Sequence, residues 1–326
     1  MTNGGTAPGA RALRVGTRGS KLALAQTTQV VDALRARWPG REVAVQIITT
    51  QGDVRTDVPL SVIGGRGVFA AELEHALRRG EIDVAVHSAK DLPSTLGPGF
   101  TLGALPERED PRDVIVTRGP RLAELPHSAV LGTSSPRRAS EVRALRPDLD
   151  VRDVRGNVDT RLRKLDEGQY DAILLAAAGL HRLGLAARIT EYLSLDAMLP
   201  MVGQGAIGIE VRADDADALA AVAPLDHAPT RAAVTAERAF LARLGAGCTA
   251  PTGAHAVLRP DGMLHLDAMI GALDPALGYT PVRGHAEAPA IHAVALGRSL
   301  AEQLISGGGA ALLHAAGVRD ASVTAV

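Results

Sequence analysis

The chain has 326 residues, 46% hydrophobic and 22% charged, with a formal net charge of −1. That length allows two or three domains with separate cores, and a pI of about 6.8 argues against a protein that works on a phosphate backbone. Aromatic residues, at 2%, are too sparse to stack single-stranded bases, and no apolar run reaches the ~20 residues that span a bilayer.

The first ten residues, MTNGGTAPGA, lack the charged start and apolar stretch of a signal peptide and read as disordered. Leu13 to Thr17 reads as a strand, and Arg18-Gly19-Ser20 then turns into a helix over 21–37. Val30, Leu34 and Trp38 mark its buried stripe. A strand is expected at 43–49. Residues 51–67 are rich in glycine and aspartate without periodicity, so they read as a long loop of the kind that is mobile or functional. A helix follows at 68–79 and a buried strand at 82–86. His87-Ser88-Ala89-Lys90-Asp91 comes at that strand's C-terminal end, where open α/β sheets bind ligands. Further strands are expected at 100–105 and 113–117.

From 128 to 195 strands and helices alternate, with strands at 150–154 and 172–175, which argues for a parallel sheet flanked by helices. Gly203 to Val211 reads as a loop and a strand able to return to the first sheet, so that two domains interleave. Past residue 224 a helix at 229–243, strands at 253–259, 263–271 and 280–286, and a helix at 291–306 make a smaller α/β unit. The expected domains are therefore 11–106 with 203–223, 107–202, and 224–326.

Charge is concentrated in Gly132–Lys164, which holds Arg137, Arg138, Arg143, Arg146, Arg152, Arg155, Arg161 and Arg163. Such a run is ordinarily a solvated face. Here, however, the arginines sit with small and hydroxyl residues at two helix starts. In Gly132-Thr133-Ser134-Ser135-Pro136-Arg137-Arg138, Ser135 is a ready N-cap and Pro136 suits the first turn. Arg155-Gly156-Asn157-Val158-Asp159-Thr160-Arg161 repeats the pattern. Backbone N–H groups, a helix dipole and guanidiniums at one place hold anions. Arginine predominates among the basic residues; Lys21, Lys90 and Lys164 are the only lysines.

Cys248 is the only cysteine, which excludes an internal disulfide and suits the cytoplasm. No His/Cys spacing suggests a metal. A lone cysteine is more often a small buried hydrophobe, but a turn between Gly247 and Thr249 is a poor place to bury one, and a thiolate there could carry a covalent group. Asp91 beside Lys90 is by default a surface ion pair; its place at a strand end favours a catalytic or binding carboxylate.

In combination these segments resemble the porphobilinogen deaminase (hydroxymethylbilane synthase) family. The likeness runs over about residues 12–320 and rests on Thr17–Ser20, His87–Pro93, Glu109–Asp113, Gly132–Arg138, Arg155–Leu162, Gly203–Ala206 and Gly247-Cys248. It implies three domains, the first two periplasmic-binding-protein-like doubly wound sheets and the third a small α/β domain bearing the cysteine loop. It also implies an enzyme that joins four porphobilinogen molecules into hydroxymethylbilane with loss of ammonia, primed on a dipyrromethane cofactor tethered to Cys248.

Asp91 is then the catalytic carboxylate. Arg18, Ser20, Lys90, Thr133, Ser135, Arg137, Arg138, Arg155, Gly156, Asn157, Arg161 and Arg182 bind the cofactor and the growing oligopyrrole. A cytoplasmic monomer is the family expectation. Each pyrrole brings an acetate and a propionate, and guanidinium grips carboxylate through two parallel bonds. Gln51, Arg66, Pro136 and Asp159 depart from the family's commoner residues and bear on loop closure and chain length rather than on the reaction. A competing reading is a non-catalytic module that binds a polycarboxylate. It explains the arginines equally well but gives no reason for Cys248 or Asp91.

Overall fold

In the computed structural model, residues 11–49, 70–245 and 250–318 are described. The first ten residues, the 51–67 stretch and Cys248, all singled out above, lie outside them. The strands are β1 (Leu13–Thr17), β2 (Val43–Ile47), β3 (Val84–Ser88), β4 (Phe100–Ala104), β5 (Asp113–Thr117), β6 (Val130–Gly132), β7 (Asp150–Arg152), β8 (Ala172–Ala176), β9 (Glu191–Tyr192), β10 (Ile207–Arg212), β11 (Thr252–Leu258), β12 (Met263–Ile270) and β13 (Val282–Pro289). The helices are α1 (Lys21–Arg37), α2 (Ala71–Arg78), α3 (Pro136–Leu145), α4 (Val158–Asp166), α5 (Ala177–Arg182), α6 (Ala216–Val222), α7 (Ala228–Arg243), α8 (Ala293–Leu304) and α9 (Ala310–Ala315). By contacts the chain forms two units, Met1–Arg108 with Ala206–Arg231, and Glu109–Gly205 with Ala232–Val326.

The first unit carries a sheet of order β2-β1-β3-β10-β4. β1 runs parallel to β2 and β3, whereas β10 is antiparallel to β3 and β4. The sheet is covered on both faces. Leu13, Val15, Val84, Val86, Ile209 and Val211 meet Val30, Val31 and Leu34 of α1 and Ala218, Ala221 and Val222 of α6. Ala85, with Ile82, packs against Leu73, Ala76 and Leu77 of α2. Each such side chain contributes about 1.5–3 kcal/mol by leaving water. Beneath the strands Asp83, fully buried, accepts from Arg14 Nε (3.0 Å) and Nη2 (2.8 Å) and from Arg212 Nη2 (3.2 Å). Burial alone would raise its pKa, but these donors hold it down at about 2.

The second unit carries β7-β6-β8-β5-β9 on the same plan, with β6 parallel to β7 and β8, and β5 antiparallel to β8 and β9. Period-two alternation divides its strands cleanly. Ile115, Leu131, Ala172 and Leu174 pack with Val142 of α3; Val114, Val116, Ile173 and Leu175 pack with Leu162 and Leu165 of α4 and Leu180 of α5. The same unit contains the antiparallel sheet β11-β12-β13. One face of that sheet, with Ala254, Leu264, Leu266 and Ala268, lies against Phe240 of α7 and Leu296, Leu300 and Leu304 of α8.

Both large sheets are thus mixed, which for the second one corrects the expectation of a parallel sheet. Neither β5 nor β10 reaches its neighbours through a strand–helix–strand crossover, so nothing forces them parallel. Some bounds also move. β2 stops at Ile47, β7 at Arg152, and β13 starts at Val282 and runs to Pro289. The helix expected to 306 gives way after Leu304 to a wide turn, Ile305–Gly309, which contains three successive glycines.

Candidate functional site

In the first unit the site residues gather at the C-terminal ends of the neighbouring parallel strands β1 and β3. Arg18 follows β1, and Ser20 caps α1, its side chain accepting from the Ala23 N–H (3.3 Å). That hydroxyl is engaged in starting the helix. After β3 the chain makes a single tight turn, Ala89–Asp91. Three contacts fix the turn's base. Ser88 and the buried Gln26 exchange hydrogen bonds (2.9 and 3.0 Å). Glu210 Oε2 accepts from His87 Nε2 (2.9 Å) with both side chains buried, and the Ala89 N–H reaches Ala206 O (3.0 Å). Lys90 and Asp91 are half-buried. Among the described residues no side chain or backbone N–H bonds the Asp91 carboxyl group, so its oxygens are presented at the strand end. Among the described residues no cation is paired with it.

In the second unit, the three parallel strands point their C-terminal ends at the arginine segments. β6 leads into Thr133 and Ser135. Ser135 is the N-cap of α3, accepting from Arg138 N–H (3.4 Å), and Pro136 occupies the first turn, both as the sequence implies. Thr133 is buried, and its hydroxyl accepts from the Ser135 N–H (3.2 Å). β7 leads to Arg155, Gly156 and Asn157 ahead of α4. Gly156 has φ +109°, where a side chain would also press on Thr160, and its carbonyl accepts from Arg161 Nε (2.8 Å). Burial, with the charges of Arg138 and Arg155, brings the Arg161 pKa down to about 10. Asn157 precedes α4 without a side-chain capping bond. β8 leads through α5 to Arg182, whose Nη2 donates to Gly205 O (2.7 Å) and whose pKa is lowered by burial.

Arg137 and Arg138 are nearly buried and have internal counter-ions. Asp113, at the start of β5, accepts from Arg137 Nη2 (2.5 Å), from Arg138 Nε (3.0 Å) and Nη2 (2.6 Å), and from Gln204 Nε2 (2.9 Å). Burial works against its charge, but the two guanidiniums hold its pKa at about 2. Arg137 Nη1 donates to Glu141 Oε2 (2.9 Å) and Leu199 O (2.6 Å), and Arg138 Nη1 to Leu174 O (3.0 Å). Asp113 and Gln204 stand in the segments that carry the resemblance but are given no role there, and Glu141 is not singled out. Glu141 stands four residues after Arg137, a spacing that marks helical ion pairs.

Among the described residues, the buried side-chain donors of this unit without a hydrogen-bond partner include Arg137 Nε and Arg182 Nε. A small cavity lined by Ser135, Arg137, Met201, Val202, Leu241, Ala250 and Thr252 lies within this unit, two residues of sequence from Cys248. Buried, unanswered guanidinium N–H groups suit the carboxylates of a dipyrromethane, whereas the cavity itself has room for no more than about one water. Among the described residues there is no cluster of His, Cys, Asp and Glu able to hold a metal, and no helix is long and apolar enough to cross a membrane.

Residues 13–220 match the family model "Porphobilinogen deaminase, dipyromethane cofactor binding domain", and residues 231–306 match "Porphobilinogen deaminase, C-terminal domain". The porphobilinogen deaminase of Roseiflexus castenholzii is 58% identical over 302 residues, covering 92% of this chain and 98% of its own. That of Desulforudis audaxviator is 53% identical over 304 residues, covering 93% and 97%. Among solved structures, the methionine-binding protein MetQ covers 66% of this chain and 89% of its own at 12% identity and a TM-score of 0.44.

Proposed function

The chain belongs to the porphobilinogen deaminase family, with that family's activity, dipyrromethane cofactor and place in tetrapyrrole biosynthesis, and from that premise we propose how its own residues carry the reaction. Family membership removes the non-catalytic alternative. Cys248 is the attachment point: a thioether from its sulfur holds the cofactor, and the sequence offers no second thiol. When bound, the dipyrromethane would supply the free pyrrole carbon to which the first porphobilinogen joins; each of the next three joins the pyrrole added before it, and hydrolysis of the bond to the cofactor gives hydroxymethylbilane.

Asp91 acts on the substrate. As ammonia leaves, positive charge develops over the methylene and pyrrole nitrogen, and an ionised carboxylate already fixed beside it lowers the barrier without reorganising. The observation that carries this assignment is the half-buried carboxylate, bonded by none of the described residues, on a turn anchored by Gln26, His87 and Ala206. Lys90 and Arg18 on the same sheet edge take substrate carboxylates. Thr133, Ser135, Arg137, Arg138, Arg155, Gly156, Asn157 and Arg161, on the second unit's strand ends, take those of the cofactor, of the growing chain and of the porphobilinogen about to join it. Arg182, held on Gly205 O with its Nε free, takes those of later additions. The family expectation of a monomer in the cytoplasm is part of the same proposal.

Intact mass tests the tether directly. The purified parent should be heavier than its sequence by one dipyrromethane, and Cys248→Ser should have its sequence mass and no activity. An active Cys248→Ser variant would sink the assignment.

A further inference from the structure

We propose that Glu141 and Arg283 set the net charge of the Arg137–Arg138 pair, and with it the strength with which that helix start holds carboxylates. The inference rests on the assignment of the pair to anion binding. The pair looks doubly positive in sequence but is not so in the fold. Asp113 takes both guanidiniums and Glu141 takes Arg137 a second time, so the four charges cancel. The surplus comes from elsewhere. Arg283, on β13, donates Nη2 to Glu141 Oε1 (2.9 Å) and Nη1 to Asp196 O (2.7 Å). The three-stranded sheet thus adds a partly exposed fifth charge, the positive one of Arg283, to the four buried ones that cancel.

Glu141 is the element that can change this total. Its side chain is fully buried, and it accepts from Arg137 Nη1, Arg283 Nη2 and the Leu199 N–H (2.9 Å). The groups facing it are Arg137 and Arg138 of its own helix, Asp113 of β5, Arg283 of β13 and the Leu199 N–H. Burial raises its pKa to about 7, opposed by Arg137, the Leu199 N–H and Arg283 and assisted by Asp113. Protonated, Glu141 releases one more positive charge to a bound anion; ionised, it withholds it. Carboxylate affinity therefore falls as pH rises through the neutral range. Glu141 and Arg283 do not touch the ligand in this scheme. They act through Arg137 and are positioning residues.

The test uses substitutions with opposite expected signs. Holoenzymes of the parent, Glu141→Gln, Arg283→Met and Arg283→Lys are checked for cofactor by intact mass, and KM for porphobilinogen and kcat are measured from pH 6 to 9. At pH 8, Glu141→Gln, which adds a net positive charge, should lower KM roughly threefold to tenfold. Arg283→Met should raise it by a similar factor, the effect of one charge at a partly screened distance. Arg283→Lys should restore KM towards the parent. The parent's KM should rise through about pH 7, and the Glu141→Gln profile should lack that step. A purely structural role would move both KM values the same way, or would move kcat and leave the pH step in place, and either result overturns the proposal. If Arg283→Met does not fold, Glu141→Gln and its pH profile decide. Arg138→Ala separates the premise from the inference. Full cofactor loading and a parental KM there would show that the pair does not bind anions at all. Impairment there, with KM shifts of one sign in the other variants, would remove only the charge-setting role.

Discussion

Asp113→Asn is the substitution for which the fold gives the clearest magnitude. The Asp113 side chain has no solvent exposure and accepts three guanidinium bonds and one from Gln204. Asparagine keeps the volume and one acceptor oxygen, so no cavity opens. What disappears is the charge, while Arg137 and Arg138 stay buried. Removing one partner from such a network costs about 3–5 kcal/mol, because the guanidiniums left behind have no water to turn to. Against a total of about 5–15 kcal/mol, and with a urea slope of about 1–3 kcal/mol per M, the midpoint should fall by more than about 1 M.

Circular dichroism follows both units, whereas the fluorescence of the only tryptophan, Trp38, reports the first. The circular dichroism transition should move further than the Trp38 transition. The pH dependence has a definite sign. The Asp113 pKa is depressed from 3.8 to about 2, so its stabilisation is present above the unfolded value and is lost as pH falls towards 2. The gap between variant and parent should be full at pH 7 and close on acidification. A deficit under about 1 kcal/mol at pH 7, or one that persists at low pH, would refute the account of Asp113 as the counter-ion.

Asp91→Asn, nearly isosteric and with no partner to lose among the described residues, should fold normally. It should slow single-turnover ammonia release by about a hundred- to a thousandfold; a loss under about tenfold would remove Asp91 from the chemistry. Arg182→Ala should load cofactor and fail in later additions, seen as enzyme-bound intermediates by mass, whereas Arg138→Ala should fail to load. Equal loading and equal kinetics would contradict the division of labour. Gly205→Ala should disturb the same arginine from the backbone side. Gly205 has φ +86° and a Cβ there would fall 2.3 Å from Glu109 O. The carbonyl that anchors Arg182 must then shift, and later additions should slow as they do in Arg182→Ala. Unchanged kinetics in a folded variant would show the anchor to be dispensable.

What could be read from the sequence was set by local chemistry. Ser135 as cap and Pro136 in the first turn depend on the four residues around them, and the structure has both. Alternation in β5 and β8 carries the division of their side chains between two faces. The return of Gly203–Val211 to the first sheet also occurs, as β10. Strand direction could not be read, because β5 and β10 take theirs from partners distant in sequence. The counter-ions of Arg137 and Arg138 were hidden for the same reason: Asp113 lies 24 residues from Arg137 on another element, and only Glu141, one helical turn on, left a local signature.

The antiparallel strands also bear on how the chain folds during synthesis. β10 lies between β3 and β4, yet about a hundred residues separate Ala104 from Ile207. At roughly 5–20 residues per second, a ribosome emits β4 and then needs some 5–20 s before the strand that joins it to β3 emerges. During that interval β3 has an open edge and β4 has no partner in the sheet. The second five-stranded sheet waits less, since β5 needs only β8 and β9, and it can close while the first is still incomplete. Nascent chains halted just before Ile207 emerges from the ribosome should therefore protect the second sheet from proteolysis and leave β4 open to cleavage.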